Sequence, residues 1–169
     1  AILILQWVQH EIRYDGFHPH AERTYRVLSI LNPDAATWAS TPGPLAPAIR
    51  AEIHEVEQVT RFRSSTDVVF RHKNERIKEQ GHAIADPAFF DMFGITFVEG
   101  TAENTLNAPN SIVLTESFAQ KYFGDTRALH QHLDTESGFL TVSAVVKNMP
   151  QNSQFQFSYI TPFESAAKA

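Results

Sequence analysis

The chain of 169 residues contains no cysteine. Disulfides and thiolate-bound metals are thereby excluded, while the compartment stays open, since many exported domains have none. Basic residues are also few: 14 Lys and Arg against 19 Asp and Glu leave a net charge of −5. A nucleic-acid surface needs clustered cations to neutralise phosphates, and here they are scattered. Glycine is sparse, with seven residues at positions 16, 43, 81, 94, 100, 124 and 138 that read as turns and helix ends. Neither a Gly-x-x-x-x-Gly-Lys-Ser/Thr loop nor a Gly-x-Ser-x-Gly elbow occurs, so nothing in this segment points to nucleotide hydrolysis or a serine nucleophile. The apolar opening, Ala1 to Leu5 with Trp7 and Val8, would rise only about 12 Å as a helix, against a hydrocarbon core of roughly 30 Å. It lacks the basic start and small-residue cleavage site of a signal peptide. Two readings of it stand: an amphipathic first helix with Ile4, Trp7, Val8 and Ile12 on one face, or the stump of a membrane helix with Trp7 at the interface.

What the chain does have is a hydrophobic content of 43 %, enough for one domain or two small lobes with a real core. Residues 1–14 read as a helix ending at Tyr14-Asp15-Gly16. Thr24 to Ile30 alternates as a strand, and a helix follows the proline-rich loop Thr41–Pro47, with Leu45, Ile49 and Ile53 on one face. Val56 to Phe62 reads as a strand. Val68–His72 and Ile77–Ala85 form a hairpin around Lys73-Asn74, a second hairpin turns at Ser137-Gly138 between His130–Leu133 and Phe139–Val146, and Ser158–Phe163 is a last strand. Two short helices carry their own boundaries. Asp86 is placed as a cap, Pro87 as a first residue and Gly94 as a left-handed stop; Thr115 and Gly124 bound the second, with Phe118, Tyr122 and Phe123 on its buried side. Hairpins with helices between only some strands predict an α+β fold.

The abundance of phenylalanine, 13 residues, divides into two groups. Phe89, Phe90, Phe93, Phe97, Phe118 and Phe123 read as core. Phe17, Phe155 and Phe157 stand in polar context and read as exposed contact residues. Among the eight histidines, His130 and His132 would share one face of a strand, with His72 and His82 on the arms of the earlier hairpin, a geometry usable for a metal. The plainer reading is a polar outer face, because no cysteine and no carboxylate at matching spacing completes a ligand set; the same holds for His18 and His20. Asp86 and Asp91 are read as a cap and a solvated helix residue, not as an acid–base pair. No catalytic, cofactor-binding or metal-ligating residue is therefore assigned, and no cofactor is expected.

Five segments in order carry a resemblance. They are Glu11–His18 with Glu22–Val27, Thr41–Pro47, Ala85–Asp125 with its two capped helices, Phe139–Pro150, and Ser153–Phe157. Together they resemble the extracytoplasmic core domain of MacB/FtsX-type ABC transporter permeases. The resemblance implies one extracytoplasmic domain over 1–169, with a membrane-proximal helix at 1–14, a discontinuous membrane-proximal lobe with βαβ elements from 15–63 and 139–169, and an inserted lobe of hairpins and short helices at 64–138. It also implies no enzyme activity, a place on the periplasmic side of the inner membrane, and mechanical coupling to ATP hydrolysis in the cytoplasm. The implied partners are a cytoplasmic ATP-binding subunit, a second permease copy, and a periplasmic adaptor, lipoprotein or peptide cargo. Export, extraction and signalling all remain open, as do two other readings: a free-standing extracytoplasmic binding or sensor domain, and a small metallohydrolase.

Overall fold

A computed structural model describes residues 15–16, 18–30, 37–73 and 75–163. The expected helix at 1–14, Phe17 and the turn residue Asn74 lie outside the described residues. A 3-10 turn at Ala21–Arg23 precedes helix α1, Leu45–Glu52. Strands β1 (Phe62–Ser64), β2 (Val68–His72), β3 (Glu75–Glu79) and β4 (His82–Ala85) lead to the short helix α2, Ala88–Met92. Then come β5 (Phe97–Glu99), β6 (Ser111–Thr115), helix α3 (Glu116–Phe123), β7 (His132–Thr135), β8 (Gly138–Val146) and β9 (Tyr159–Pro162). This mixture is the α+β fold that the strand and helix pattern predicts.

The strands form one mixed sheet in the order β1-β4-β9-β6-β8-β7-β2-β3, with β5 added beside β8. The β4–β9 and β6–β8 pairs are parallel, and the others are antiparallel. Only Gln80 and Gly81 separate β3 from β4, yet these strands stand far apart in the sheet order. The sheet must therefore curl until the two come close. Gly81 makes the sharp turn at φ +81°, and a Cβ there would lie 2.6 Å from Ser158 Oγ and 2.9 Å from Ser158 N, so the position tolerates no side chain.

Both faces of the sheet are covered, which is why all five residues of β6 are buried. On one face Ala83, Ala85, Val113, Ala144, Val146 and Ile160 make a floor of small and branched side chains. Its alanines leave room for Phe89 and Phe90 of α2 and for Phe155 and Phe157. On the other face Ile112, Leu114, Val142, Val145 and Tyr159 meet Phe118, Ala119 and Tyr122 of α3, with Phe70 from β2. The register against β6 slips between Val142 and Ala144, leaving Ser143 as an extra residue. This bulge turns Val142 toward α3 and Ala144 toward α2, so one strand serves both cores. β3 is the outermost strand at one edge, with Glu75, Arg76 and Lys78 exposed; Arg76 pairs with Glu136 and Lys78 approaches Asp67 at 3.5 Å.

Several local expectations are corrected. Thr24–Ile30 is not a strand: among the described residues its one ladder contact is an isolated bridge between Ser29 and Trp38, and no sheet strand pairs with it. The strand expected over Val56–Phe62 begins only at Phe62. The arm Ile77–Ala85 is broken at Gly81 into β3 and β4, which pair with different partners. The α1 face is lightly buried, since Ala46 is its one buried residue and Ile53 is 44 % exposed. Ser153–Phe157 is irregular, and Phe155 and Phe157 are buried. Their glutamine neighbours point to solvent while the rings close the α2 face.

Candidate functional site

The most heavily connected polar group lies where α1, β1, α2 and the end of β9 converge. Arg61 donates from Nε to Asp86 Oδ2 at 2.9 Å and from a terminal nitrogen to Oδ1 at 2.7 Å, a bidentate pair. Its backbone N–H also donates to Asp86 Oδ2 at 2.9 Å, and its other terminal nitrogen donates to the Gly43 carbonyl at 3.1 Å. The guanidinium lies 4.2 Å from the Phe163 ring centroid. Hydrogen bonding to Asp86 raises the Arg61 pKa above its ordinary value against the opposing effect of burial. Beside this pair lies a shallow cleft of about 200 Å³, lined by Ala46, Pro47, Arg50, Pro87 and Ala88. Arg50 is spent on the Val59 carbonyl at 2.9 Å. The cleft thus presents neither a nucleophile nor an uncommitted acid–base pair.

Asp86 is accordingly no side-chain cap. Its carboxylate is drawn to the stronger, charge-assisted donors of Arg61, while its backbone carbonyl accepts from Phe89 N at 3.0 Å. The helix stop at Gly94 has φ +60° as expected. Thr115 behaves likewise: its hydroxyl donates to the Ser158 carbonyl, and a free donor of α3 is met from another segment, with Asn148 Oδ1 accepting from Ser117 N and Oγ. Substituting Asp86 with alanine should cost about 2–3 kcal/mol, the range for hydrogen bonds to charged groups, whereas Asp86→Asn should cost less because it keeps acceptors for Arg61. Urea denaturation of both variants checks the order. Asp91, on the solvent side of α2, accepts from Gln58 at 2.9 Å.

The histidines are dispersed. His130 lies in the turn before β7 at φ +68°, so it shares no strand face with His132, which bonds Thr141 Oγ1 and meets the Phe139 ring edge. His72 meets Tyr122 edge-on. His82 stacks on Tyr159, donates from Nδ1 to the Thr66 carbonyl at 2.9 Å and lies with Nε2 2.8 Å from Thr161 Oγ1. Burial pushes its pKa below the ordinary value, so it is held neutral in the β4–β9 packing. No group of three or more His, Asp or Glu placed to hold a metal occurs among the described residues.

The other surface feature is an apolar stretch. Tyr25 is 82 % exposed and Ile30 66 %, and Val27, Leu28 and Trp38 are also exposed. The sequence signal was the alternation over 24–30, read there as a strand.

This two-faced curled sheet has relatives. The chain matches the MacB-like periplasmic core domain family over residues 1–169. It belongs to that family. Membership makes it the extracytoplasmic domain of an ABC-type permease, and the family is one of transporter domains and not of enzymes. Among solved structures, a domain assigned to a permease protein from Porphyromonas gingivalis superposes with a TM-score of 0.65 at 28 % identity, over 75 % of this chain and 54 % of that one. The periplasmic region of MacB from Actinobacillus actinomycetemcomitans gives 0.56 at 17 % identity, covering 73 % and 55 %. The extracellular domain of the ABC-type transporter YknZ from Gram-positive bacteria gives 0.50 at 16 % identity, covering 70 % and 60 %. The MacB-like domain described here thus spans about half the length of the first two solved structures. Comparison with curated proteins returns no match. Among the described residues, no helix is long and apolar enough to cross a membrane.

Proposed function

We propose that this MacB-like domain couples cytoplasmic ATP binding and hydrolysis mechanically to the handling of a partner or cargo outside the inner membrane. The observation that carries the reading is the family match over the whole chain. A domain with no phosphate loop of its own must receive that energy through connected helices. The partners follow from the same reading: a cytoplasmic ATP-binding subunit acting through membrane helices, a second permease copy, and an adaptor, lipoprotein or peptide on the outer side. The exposed apolar stretch at Tyr25, Val27, Leu28, Ile30 and Trp38 supports a contact role, since contiguous apolar surface marks interaction sites. The division into a membrane-proximal lobe, 15–63 with 139–169, and an inserted lobe, 64–138, belongs to this proposal.

The sequence at residues 1–14 contains neither Pro nor Gly, as befits a helix that transmits force without bending. Inserting Gly-Gly after Gln9 in the full-length permease should leave the domain protease-resistant but abolish transport, because each glycine weakens the helix by about 1 kcal/mol and lets its axis bend. Transport activity or drug sensitivity of cells, read beside proteolysis in the same membranes, decides it. Full activity with the insertion in place defeats mechanical coupling and leaves the family membership standing.

A further inference from the structure

We propose that Asp15, His18 and Pro19 form a joint that locks the entry of the chain into the domain to the loop before its last strand, so that a displacement arriving at Asp15 moves both. The inference rests on the coupling reading above and assigns its point of transfer.

Three consecutive attachments define the joint. Asp15 N donates to the Asn152 carbonyl at 3.1 Å, and Asp15 Oδ1 accepts from Gln154 N at 3.0 Å, so one residue takes both a donor and an acceptor from a loop distant in sequence. His18 is 7 % exposed and donates from Nδ1 to the Phe93 carbonyl at 2.9 Å; that oxygen can only accept, so Nδ1 carries the proton of this bond. Its Nε2 lies 3.5 Å from Asp15 Oδ1, and its ring meets Phe93 and Phe155 with centroids 5.1 and 5.8 Å away. Pro19 then seats against Gly94, where a Cβ would come within 2.7 Å of Pro19 Cδ.

Both surfaces gripped by this segment are themselves braced. The loop 150–157 is held by Ser153, 1 % exposed, which accepts from Phe155 N, and by Gln156, which donates to the Pro150 and Ser153 carbonyls. Phe155 and Phe157 carry it into the α2 core. Phe93 and Gly94 end α2, whose Phe89 and Phe90 stand on the sheet. A segment that needed only burial would be served by the two rings. The two bonds at Asp15, one from its backbone N–H and one to its carboxylate, add directional constraint, and they hold Asp15 at φ +55°, a region Asp tolerates but rarely adopts without such support.

The test is hydrogen–deuterium exchange on the full-length permease in lipid nanodiscs, with and without Mg-ATP. Asp15→Gly keeps the positive φ accessible and removes the carboxylate, whereas Asp15→Asn keeps an oxygen at Oδ1. Asp15→Gly should speed exchange in peptides covering 15–20 and 152–157 by about tenfold or more, leave β6 and β8 within about twofold, and erase the ATP-dependent change in 85–95 and 150–160. Asp15→Asn should preserve all three. An ATP response that survives Asp15→Gly, or unchanged exchange at 152–157, overturns the joint; so does faster exchange throughout the sheet in both variants, which would make the contacts merely structural. If wild type responds and the Gly-Gly insertion abolishes the response while Asp15→Gly does not, the joint falls alone. If wild type shows no response and the insertion leaves transport intact, coupling and joint fall together.

Discussion

Replacing Phe89 with alanine should destabilise the domain by about 3–5 kcal/mol, the range for truncating a fully buried phenylalanine. Phe89 has no exposed surface and stands at the centre of an aromatic cluster, with Phe62 stacked at 4.9 Å, Phe155 edge-on at 5.1 Å, and Phe90 and Phe93 at 5.5 and 5.2 Å. The loss has two parts: transfer of the ring to water in the unfolded chain, and a cavity that the alanine floor of Ala83, Ala85 and Ala144 cannot fill. Phe139, 54 % exposed at the start of β8, provides the contrast, and its alanine variant should stay within about 0.5 kcal/mol of wild type. Equilibrium urea denaturation with unchanged m-values decides the comparison. A Phe89→Ala domain as stable as Phe139→Ala would remove α2 from the core.

Removing a single oxygen, in Tyr159→Phe, should cost about 2–4 kcal/mol. Val68 and Glu79 face each other in the β2–β3 ladder. The Tyr159 hydroxyl stands between them, accepting from Val68 N at 3.0 Å and donating to the Glu79 carbonyl at 3.0 Å. Phenylalanine keeps the packing against Phe70 and Phe118 but orphans two backbone groups, each worth roughly 1–3 kcal/mol when buried without a partner. The same geometry has a pH consequence. Burial raises the Tyr159 pKa from 10.0 to about 12, and burial together with the Glu79 carboxylate, 2.7 Å from its hydroxyl, raises that of Tyr122 as well. Phenols whose folded-state pKa lies above the unfolded value stabilise fully below about pH 10, and that contribution is lost as pH rises toward 12. The alkaline fall in denaturation midpoint should be shallower in Tyr159→Phe than in wild type. An equal fall, or a neutral substitution at pH 7, would show that the hydroxyl does not complete the ladder.

These two residues mark where sequence reasoning succeeds and where it stops. The helices around Phe89 and Phe118 were legible because their boundaries are local: Gly94 and Gly124 both take positive φ. The β7–β8 hairpin and β9 were legible for the same reason. Long-range pairings were not. Nothing near Asp86 announces Arg61, and nothing near Thr115 announces that Asn148 will meet the free N–H of Ser117 in α3. The alternation of Thr24–Ile30 is genuine, but a strand needs a neighbour, and the described strands of the sheet supply none. Phe155 and Phe157 were misjudged because Gln154 and Gln156 beside them are exposed, while a buried irregular segment follows its two-residue alternation without a ladder. The contacts of Asp15 and His18 likewise join segments that only the folded chain brings together.

Crowding gives the charges along β3 a meaning beyond their ion pairs. Where copies of a domain meet at high local density, an open row of amides and carbonyls invites intermolecular strand addition and, with repetition, fibrils. The outer face of β3 meets such an encounter with Glu75, Arg76 and Lys78, whose burial between two ladders would strip them of water. At the opposite boundary β1 is only three residues long, too short a template to hold a second chain. Both ends of this strand order are thus guarded against polymerisation with its own kind.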